Sequence, residues 1–148
     1  AKVRDLARRE PQLVTELLRQ GGTLLAEFTG TWNTAGVRHL LDLGVPVDSR
    51  YTGDGYFDIA PGSTALHVAA WKLRADLVQL LLERGAPVNA RDGKERTPLM
   101  LAVKGCVDSY WSERRTAEPV RLLLQAGASR QGVPYPSGYD AVDDLLRP

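Results

Sequence analysis

Two histidines, one cysteine and 18 carboxylates are the side chains of this chain best able to do chemistry, and their spacing speaks against it. Asp58, Ser63 and His67 carry the three groups of a nucleophilic triad. Ser63, however, lies at a junction without the elbow motif that exposes such a nucleophile, so the set reads as coincidence. Neither His39 nor His67 has a second His, Cys or carboxylate at ligand spacing, which argues against a zinc site. Gly53-Asp54-Gly55 and Gly21-Gly22 are turn signals rather than a phosphate loop, because neither carries the Gly-Lys-Ser/Thr ending. Cys106 stands alone, forms no internal disulfide and reads as packing. No catalysis, cofactor or metal is expected.

The elements that would position a functional group are far better marked. Val14 and Gly21, Val37 and Gly44, Val78 and Gly85, and Val120 and Gly127 are each seven residues apart. A Leu pair follows each Val by three and four residues: Leu17/Leu18, Leu40/Leu41, Leu81/Leu82 and Leu123/Leu124. That spacing lays an apolar stripe along one side of a short helix, and the Gly supplies the left-handed residue that closes it. Thr64-Ala65-Leu66-His67-Val68-Ala69-Ala70 and Thr97-Pro98-Leu99-Met100-Leu101-Ala102-Val103 lie 33 residues apart, with Thr23-Leu24-Leu25-Ala26-Glu27-Phe28 as a decayed copy. In each, Thr serves as N-cap, and Pro98 takes the first helical position, where its missing N–H costs nothing. Each unit reads as a short inner helix, a tight turn, a longer outer helix and a Gly stop. Repetition of such a unit gives an all-α solenoid whose helix pairs bury their faces only against neighbours.

At this point the chain resembles the ankyrin repeat family, and within it a small, divergent, bacterial-type protein. The resemblance rests on Gly62-Ser-Thr-Ala-Leu-His-Val-Ala-Ala through Leu80-Leu-Leu-Glu-Arg-Gly-Ala-Pro-Val-Asn-Ala-Arg-Asp-Gly93, followed by Arg96-Thr-Pro-Leu. It is strongest over residues 62–128 and weak before residue 37. It implies antiparallel helix pairs joined by hairpin-like fingers, and a concave surface of fingers and inner helices that binds other proteins. It also implies that His67 ties its inner helix to neighbouring loop backbone, and that Asn89 closes a finger turn through side-chain to backbone bonds.

Composition narrows the function classes. A chain of 148 residues with 43% hydrophobic and 25% charged content suits one soluble domain. No apolar run nears the ~20 residues of a membrane span, and the start lacks a basic segment followed by an apolar core. A net charge of +1 gives no field that would draw nucleic acid or an anionic membrane. The lone cysteine fits a reducing compartment, and a monomeric, cytoplasmic protein is expected.

Departures from the repeat point to the functional surface. The intervals between successive Val markers are 23, 41 and 42 residues, against about 33 for a regular unit. The first is short because Gly21-Gly22 leads almost directly into Thr23. Residues 2–21 then read as a capping helix pair, with Arg4, Arg8, Arg9 and Arg19 toward solvent. The second is long because residues 48–62 form an enlarged finger carrying Tyr51, Tyr56, Phe57 and Ile59, an unusual load for a loop. These aromatics either fold back over the poorly conforming first repeat or present a contact surface. The third carries nine extra residues within 104–118, which lengthen the inner helix and turn at residues 112–116, with Thr116 capping the next helix ahead of Pro119. Tyr110 and Trp111 beside Arg114 and Arg115 either seal the lengthened helix pair or form a hot spot.

The resulting division is a cap pair at 1–21, a degenerate repeat with an enlarged finger at 22–61, a regular repeat at 62–94, a repeat with an insertion at 95–136 and a cap helix at 137–148. Asp140, Asp143 and Asp144 place polar groups where a middle repeat would be apolar. The expected function is a non-catalytic protein-binding module: an adaptor, regulator or inhibitor. Its expected contacts are Tyr51, Tyr56, Phe57, Asp58, Trp71, Lys72, Arg91 and Lys94, with Tyr110, Trp111 and Arg114 from the insertion. Trp71 stands where repeats usually place polar residues, and packing between helices is its competing role. The partner is another protein, with no nucleic acid, membrane or small-molecule substrate. The alternatives are a docking domain of a larger enzyme or membrane protein and an immunity-type inhibitor of a toxin.

Overall fold

The computed structural model describes residues 2–110 and 112–148. The helices are α1 Lys2–Arg9, α2 Pro11–Arg19, α3 Gly21–Gly30, α4 Thr34–Asp42, α5 Ala65–Trp71, α6 Ala75–Glu83, α7 Pro98–Asp108, α8 Glu118–Gln125 and α9 Asp140–Leu146, with one 3-10 turn at Gly55–Phe57. The fold is the expected all-α solenoid. Inner helix α5 packs against α3 on one side and α7 on the other, while outer helices α6 and α8 pack against each other; α2 leans on α3, and α9 closes on α8.

The start and stop signals act as their chemistry requires. The Thr64 and Thr97 hydroxyls accept the His67 and Met100 N–H groups and cap α5 and α7. The stop glycines Gly44, Gly85 and Gly127 have φ of 100°, 84° and 91°, which a side chain would strain. Val37 and Leu40, Val78 and Leu81, and Val120 and Leu123 are buried in one continuous core. The same phrase on α2 buries nothing: α2 has no buried residue, and Leu13 and Leu18 are exposed, as is Leu6 of α1.

Two expectations for the first unit change. Gly21 does not stop α2; it is the first residue of α3, with Gln20 at the N-cap and Thr23 inside the helix. The reason is contact with Val45: a Cβ on Gly21 would stand 2.7 and 2.8 Å from its two methyls, so the residue lets α3 approach that finger rather than reverse the chain. Arg4, Arg8, Arg9 and Arg19 do face solvent. In the third unit α7 runs for 11 residues against seven for α5. The Thr116 hydroxyl accepts the Glu118 N–H at 3.2 Å from just before the cap residue Ala117.

Candidate interaction surface

The enlarged finger is an ordered hairpin. Tyr51 N–H donates to Ser63 O at 2.8 Å and Gly62 N–H to Tyr51 O at 2.8 Å, and Asp54 and Ile59 exchange backbone bonds of 2.8 and 2.9 Å nearer the tip. The tip is the 3-10 turn, capped by the Asp54 carboxylate, which accepts the Tyr56 N–H at 3.0 Å. It crosses the inner-helix layer and ends at the last residue of α5, where Trp71 Nε1–H donates to Phe57 O at 2.8 Å. There Asp58 takes the left-handed conformation, φ 56°.

Asp58 is the anchor of that arrangement. Its carboxylate accepts Lys94 Nζ at 2.8 Å and Arg96 Nη1 at 3.0 Å, while Arg96 Nη2 reaches the Asp58 carbonyl at 3.0 Å. The Lys94 hydrogen bond first, and then Arg96, hold the Asp58 carboxyl below its usual range. Arg96 also donates to the buried Asp92 at 2.9 Å, and Arg50 Nη1 bridges the carbonyls of Gly62 and Arg91 at 2.8 Å each. The finger is thereby tied to the next one. Asn89 makes side-chain to backbone bonds as expected, but to Gly127 and Ser129 of the following finger rather than within its own turn.

Of the aromatics, Tyr51 and Trp71 are half-buried, whereas Tyr56 is 89% exposed and Phe57 48%. The Tyr56 and Phe57 rings meet edge to face at 4.9 Å, and Lys72 Nζ stands 4.3 Å from the Phe57 centroid. Trp71 packs on the core and carries Lys104 Nζ 5.3 Å over its ring. Arg91 Nη1 donates to Glu95 O at 3.0 Å.

Two of the clefts beside the fingers and inner helices measure about 300 Å³ each. One lies between the finger and α3, with Tyr51, Phe57, Ile59 and Lys72 on its wall. The other lies between α7 and the last finger, lined by Met100, Val103, Val107 and Pro134 with Lys104 and Asp108 at its edge.

The insertion sits on the opposite, turn-bearing edge. Tyr110 is 78% exposed there, and Trp111 lies outside the described residues. Arg114 stacks 4.6 Å over the Trp32 ring, whose other cation neighbour is Arg74 at 4.8 Å. Arg115 goes the other way, 3.4 Å over the Tyr139 ring, and donates to Cys106 O at 2.7 Å. The structure thus brings Tyr51, Phe57, Asp58, Trp71, Lys72 and Lys94 together, and leaves Tyr110 and Arg114 on another edge. Trp32, which had no role in the sequence reading, holds φ 64° in the turn between α3 and α4, as Leu73 holds φ 56° between α5 and α6. Counting nine residues from Thr23 and from Thr64 finds both.

The serine and histidine of the apparent triad, and the lone cysteine, are committed elsewhere. His67 Nδ1 accepts the Thr64 N–H at 3.1 Å and Nε2 meets Arg96 O at 3.0 Å. Ser63 Oγ donates to Ala60 O at 2.7 Å. Asp58, Ser63 and His67 border one crevice with no room for a water molecule. Cys106 is buried, donates to Thr116 O at 3.1 Å, and burial pushes its thiol up to about 11, despite the nearby Arg115. Exposed His39 stands apart on α4. Among the described residues no group of three His, Cys, Asp or Glu side chains is placed to hold a metal, and no helix is long and apolar enough to cross a membrane.

A stack of capped helix pairs with fingers along one edge defines a class, and the sequence match agrees. The family model for ankyrin repeats, in three copies, matches residues 6–129, and the chain belongs to the ankyrin repeat family. Ankyrin repeats are generally protein–protein interaction modules and typically non-catalytic. The chain is similar to Rabankyrin-5 of Homo sapiens, at 41% identity over 68 residues, 45% of this chain and 6% of that protein. It is similar to the NF-kappa-B inhibitor cactus of Drosophila melanogaster, at 44% over 46 residues, 30% of this chain and 9% of the relative. A Rickettsia bellii protein named for its ankyrin repeats is 31% identical over 113 residues, 66% of this chain and 44% of the relative. The chain spans less than half the length of each of these relatives.

Proposed function

We propose that this chain is a non-catalytic binding module that holds a partner protein against the enlarged finger and the inner helices beside it. One observation carries the reading: Tyr56 and Phe57 stand exposed on a tip whose backbone is fixed by the Asp54 cap, the Trp71 hydrogen bond and the Asp58 ion pairs. A rigid aromatic pair loses little conformational freedom on binding, and interface hot spots favour such groups. Tyr51, Phe57, Asp58, Trp71, Lys72 and Lys94 form or brace this face, Arg91 flanks it, Tyr110 and Arg114 offer secondary contacts on the turn edge, and Trp111 is a further contact proposed from the sequence alone. The module acts as a monomer in the cytoplasm, as an adaptor, regulator or inhibitor; the name of the relative cactus supports the inhibitor form. A second reading, a docking domain of a longer protein, is favoured by the length of the relatives.

Capture from lysate of the source organism, with the chain as bait and mass spectrometric readout, tests the reading. Wild type retains one stoichiometric protein that Tyr56→Ala loses, while the variant's stability stays within ~0.5 kcal/mol of wild type. A captured protein indifferent to Tyr56→Ala overturns the finger face. Trp71→Ala serves as the folding control, because removing a half-buried indole that packs on the core costs about 2–3 kcal/mol.

A further inference from the structure

The cleft between α3 and the enlarged finger has a chemistry of its own. Its floor is small, with Ala26 and Gly30 one turn apart on α3, and Ile59 and Phe57 make an apolar wall opposite. Thr31 borders it without offering a hydroxyl proton, since Oγ1 donates to Glu27 O at 2.9 Å. Two carboxylates, Glu27 and Asp54, stand at the rim, and among the described residues neither makes an ion pair. Asp54 uses Oδ1 to cap Tyr56, which fixes the group without neutralising it. The Tyr51 hydroxyl is held above its ordinary range by burial first, and then by the charges of Asp54 and Glu27, so both act on one region of the cleft. Lys72 offsets one of the two charges while stacked on Phe57, and the lining keeps one net negative charge.

An apolar shaft ending between two carboxylates and an aromatic ring complements a long side chain with an apolar stem and a cationic head. We propose that this cleft receives a lysine or arginine side chain of the partner protein, with the stem along Ile59, Ala26 and Gly30 and the cation between Glu27 and Asp54 beside Tyr51. The proposal rests on the binding-module reading above and adds the partner's chemistry: a basic residue displayed next to the segment that meets Tyr56. Glu27 and Asp54 had no place among the contacts expected from sequence. They lie 27 residues apart and border one cleft only because the finger folds back.

The test uses capped tripeptides Gly-Arg-Gly and Gly-Lys-Gly as probes, with Gly-citrulline-Gly and Gly-norleucine-Gly as neutral counterparts, titrated into the whole chain and read by amide NMR. The basic probes shift Gly30, Thr31, Tyr51 and Ile59 saturably, and the neutral ones bind at least about fivefold more weakly. Glu27→Gln and Asp54→Asn each weaken the basic probes about threefold or more, with the remaining spectrum unchanged; Asn keeps the acceptor that caps Tyr56. Equal shifts from arginine and citrulline probes, shifts elsewhere, or indifference to both variants overturn the proposal. The lysate partner separates the two ideas. Capture lost in Tyr56→Ala but kept in the Glu27→Gln/Asp54→Asn double variant removes the basic-side-chain site and keeps the finger face. Charge-dependent probe binding combined with capture indifferent to Tyr56→Ala keeps the site and removes the face.

Discussion

The imidazole of His67 accepts a backbone N–H at Nδ1 and faces a carbonyl with Nε2, so it keeps both bonds only as the neutral tautomer protonated at Nε2. Burial pushes its pKa below the ordinary 6.5, against the opposing pull of the Arg96 carbonyl and Asp92. In the unfolded chain the ring takes a proton near pH ~6.5, while in the folded chain it stays neutral to lower pH. The stability this residue contributes is therefore complete above that pH and declines as pH falls toward the folded value. His67→Ala is expected to cost about 2–4 kcal/mol at pH 8, from lost hydrogen bonds and a cavity. The gap to wild type narrows at pH 5, which urea unfolding at the two pH values measures. The neighbouring carboxylates act in a lower window. For Asp92 burial pushes up, but the bonds from Arg96 and Lys94 together outweigh it and leave the group below its usual range. Its stabilisation, like that of Asp58, persists through the His67 window and is lost only in stronger acid.

At the level of elements, the extra turn of α7 depends on one missing side chain. A Cβ on Gly105 would lie 2.8 Å from Trp71 O and 3.2 Å from Leu73 Cδ2, so α7 passes the end of α5 at a distance only glycine permits. Gly105→Ala gains helix propensity yet must part the two helices, and a net loss of about 1–3 kcal/mol in thermal or urea unfolding is expected. What was legible in the sequence follows the same logic. Caps and stops are local, so Thr64, Thr97, Gly85 and Gly127 announced the helices that they begin and end. Gly21 misled because its role is set by Val45, 24 residues on. The finger announced itself by length and aromatic content, but whether its rings point in or out depends on where the chain comes back. Tyr51 turned in, Tyr56 out. The α3 cleft was illegible for the same reason, since its carboxylates come from a helix and a hairpin tip that only the fold-back joins.

For the whole molecule, a solenoid's stability is normally a sum over neighbouring repeats, and its ends are the least protected. The exposed Leu6, Leu13 and Leu18 and the absence of buried residues on α2 mark the N-terminal end as weakly held. Amide hydrogen exchange should be fastest in α1 and α2 and slowest in α5 and α7; protection of α2 equal to that of α5 would contradict this reading. The insertion works against simple additivity. Through Arg114 it reaches past the second repeat to Trp32 in the first, and through Arg115 it holds Tyr139 at the start of α9. Arg114→Ala is expected to cost ~0.5–1 kcal/mol and to raise exchange around the α3–α4 turn, far in sequence from the change.

The Arg114 contact also sets an order in time. Trp32 leaves the ribosome about 80 residues before the guanidinium that stacks on it, a delay of several seconds at ordinary rates of synthesis. Late in that interval the nascent chain has its first helix pair and finger, and the indole of Trp32, whose backbone holds φ 64°, has the Arg74 guanidinium beside it but not yet that of Arg114. Closing the turn edge is then a late step of maturation, and a newborn chain stalled before the insertion carries an indole without the stacked Arg114 guanidinium that tethers the insertion to it in the finished protein.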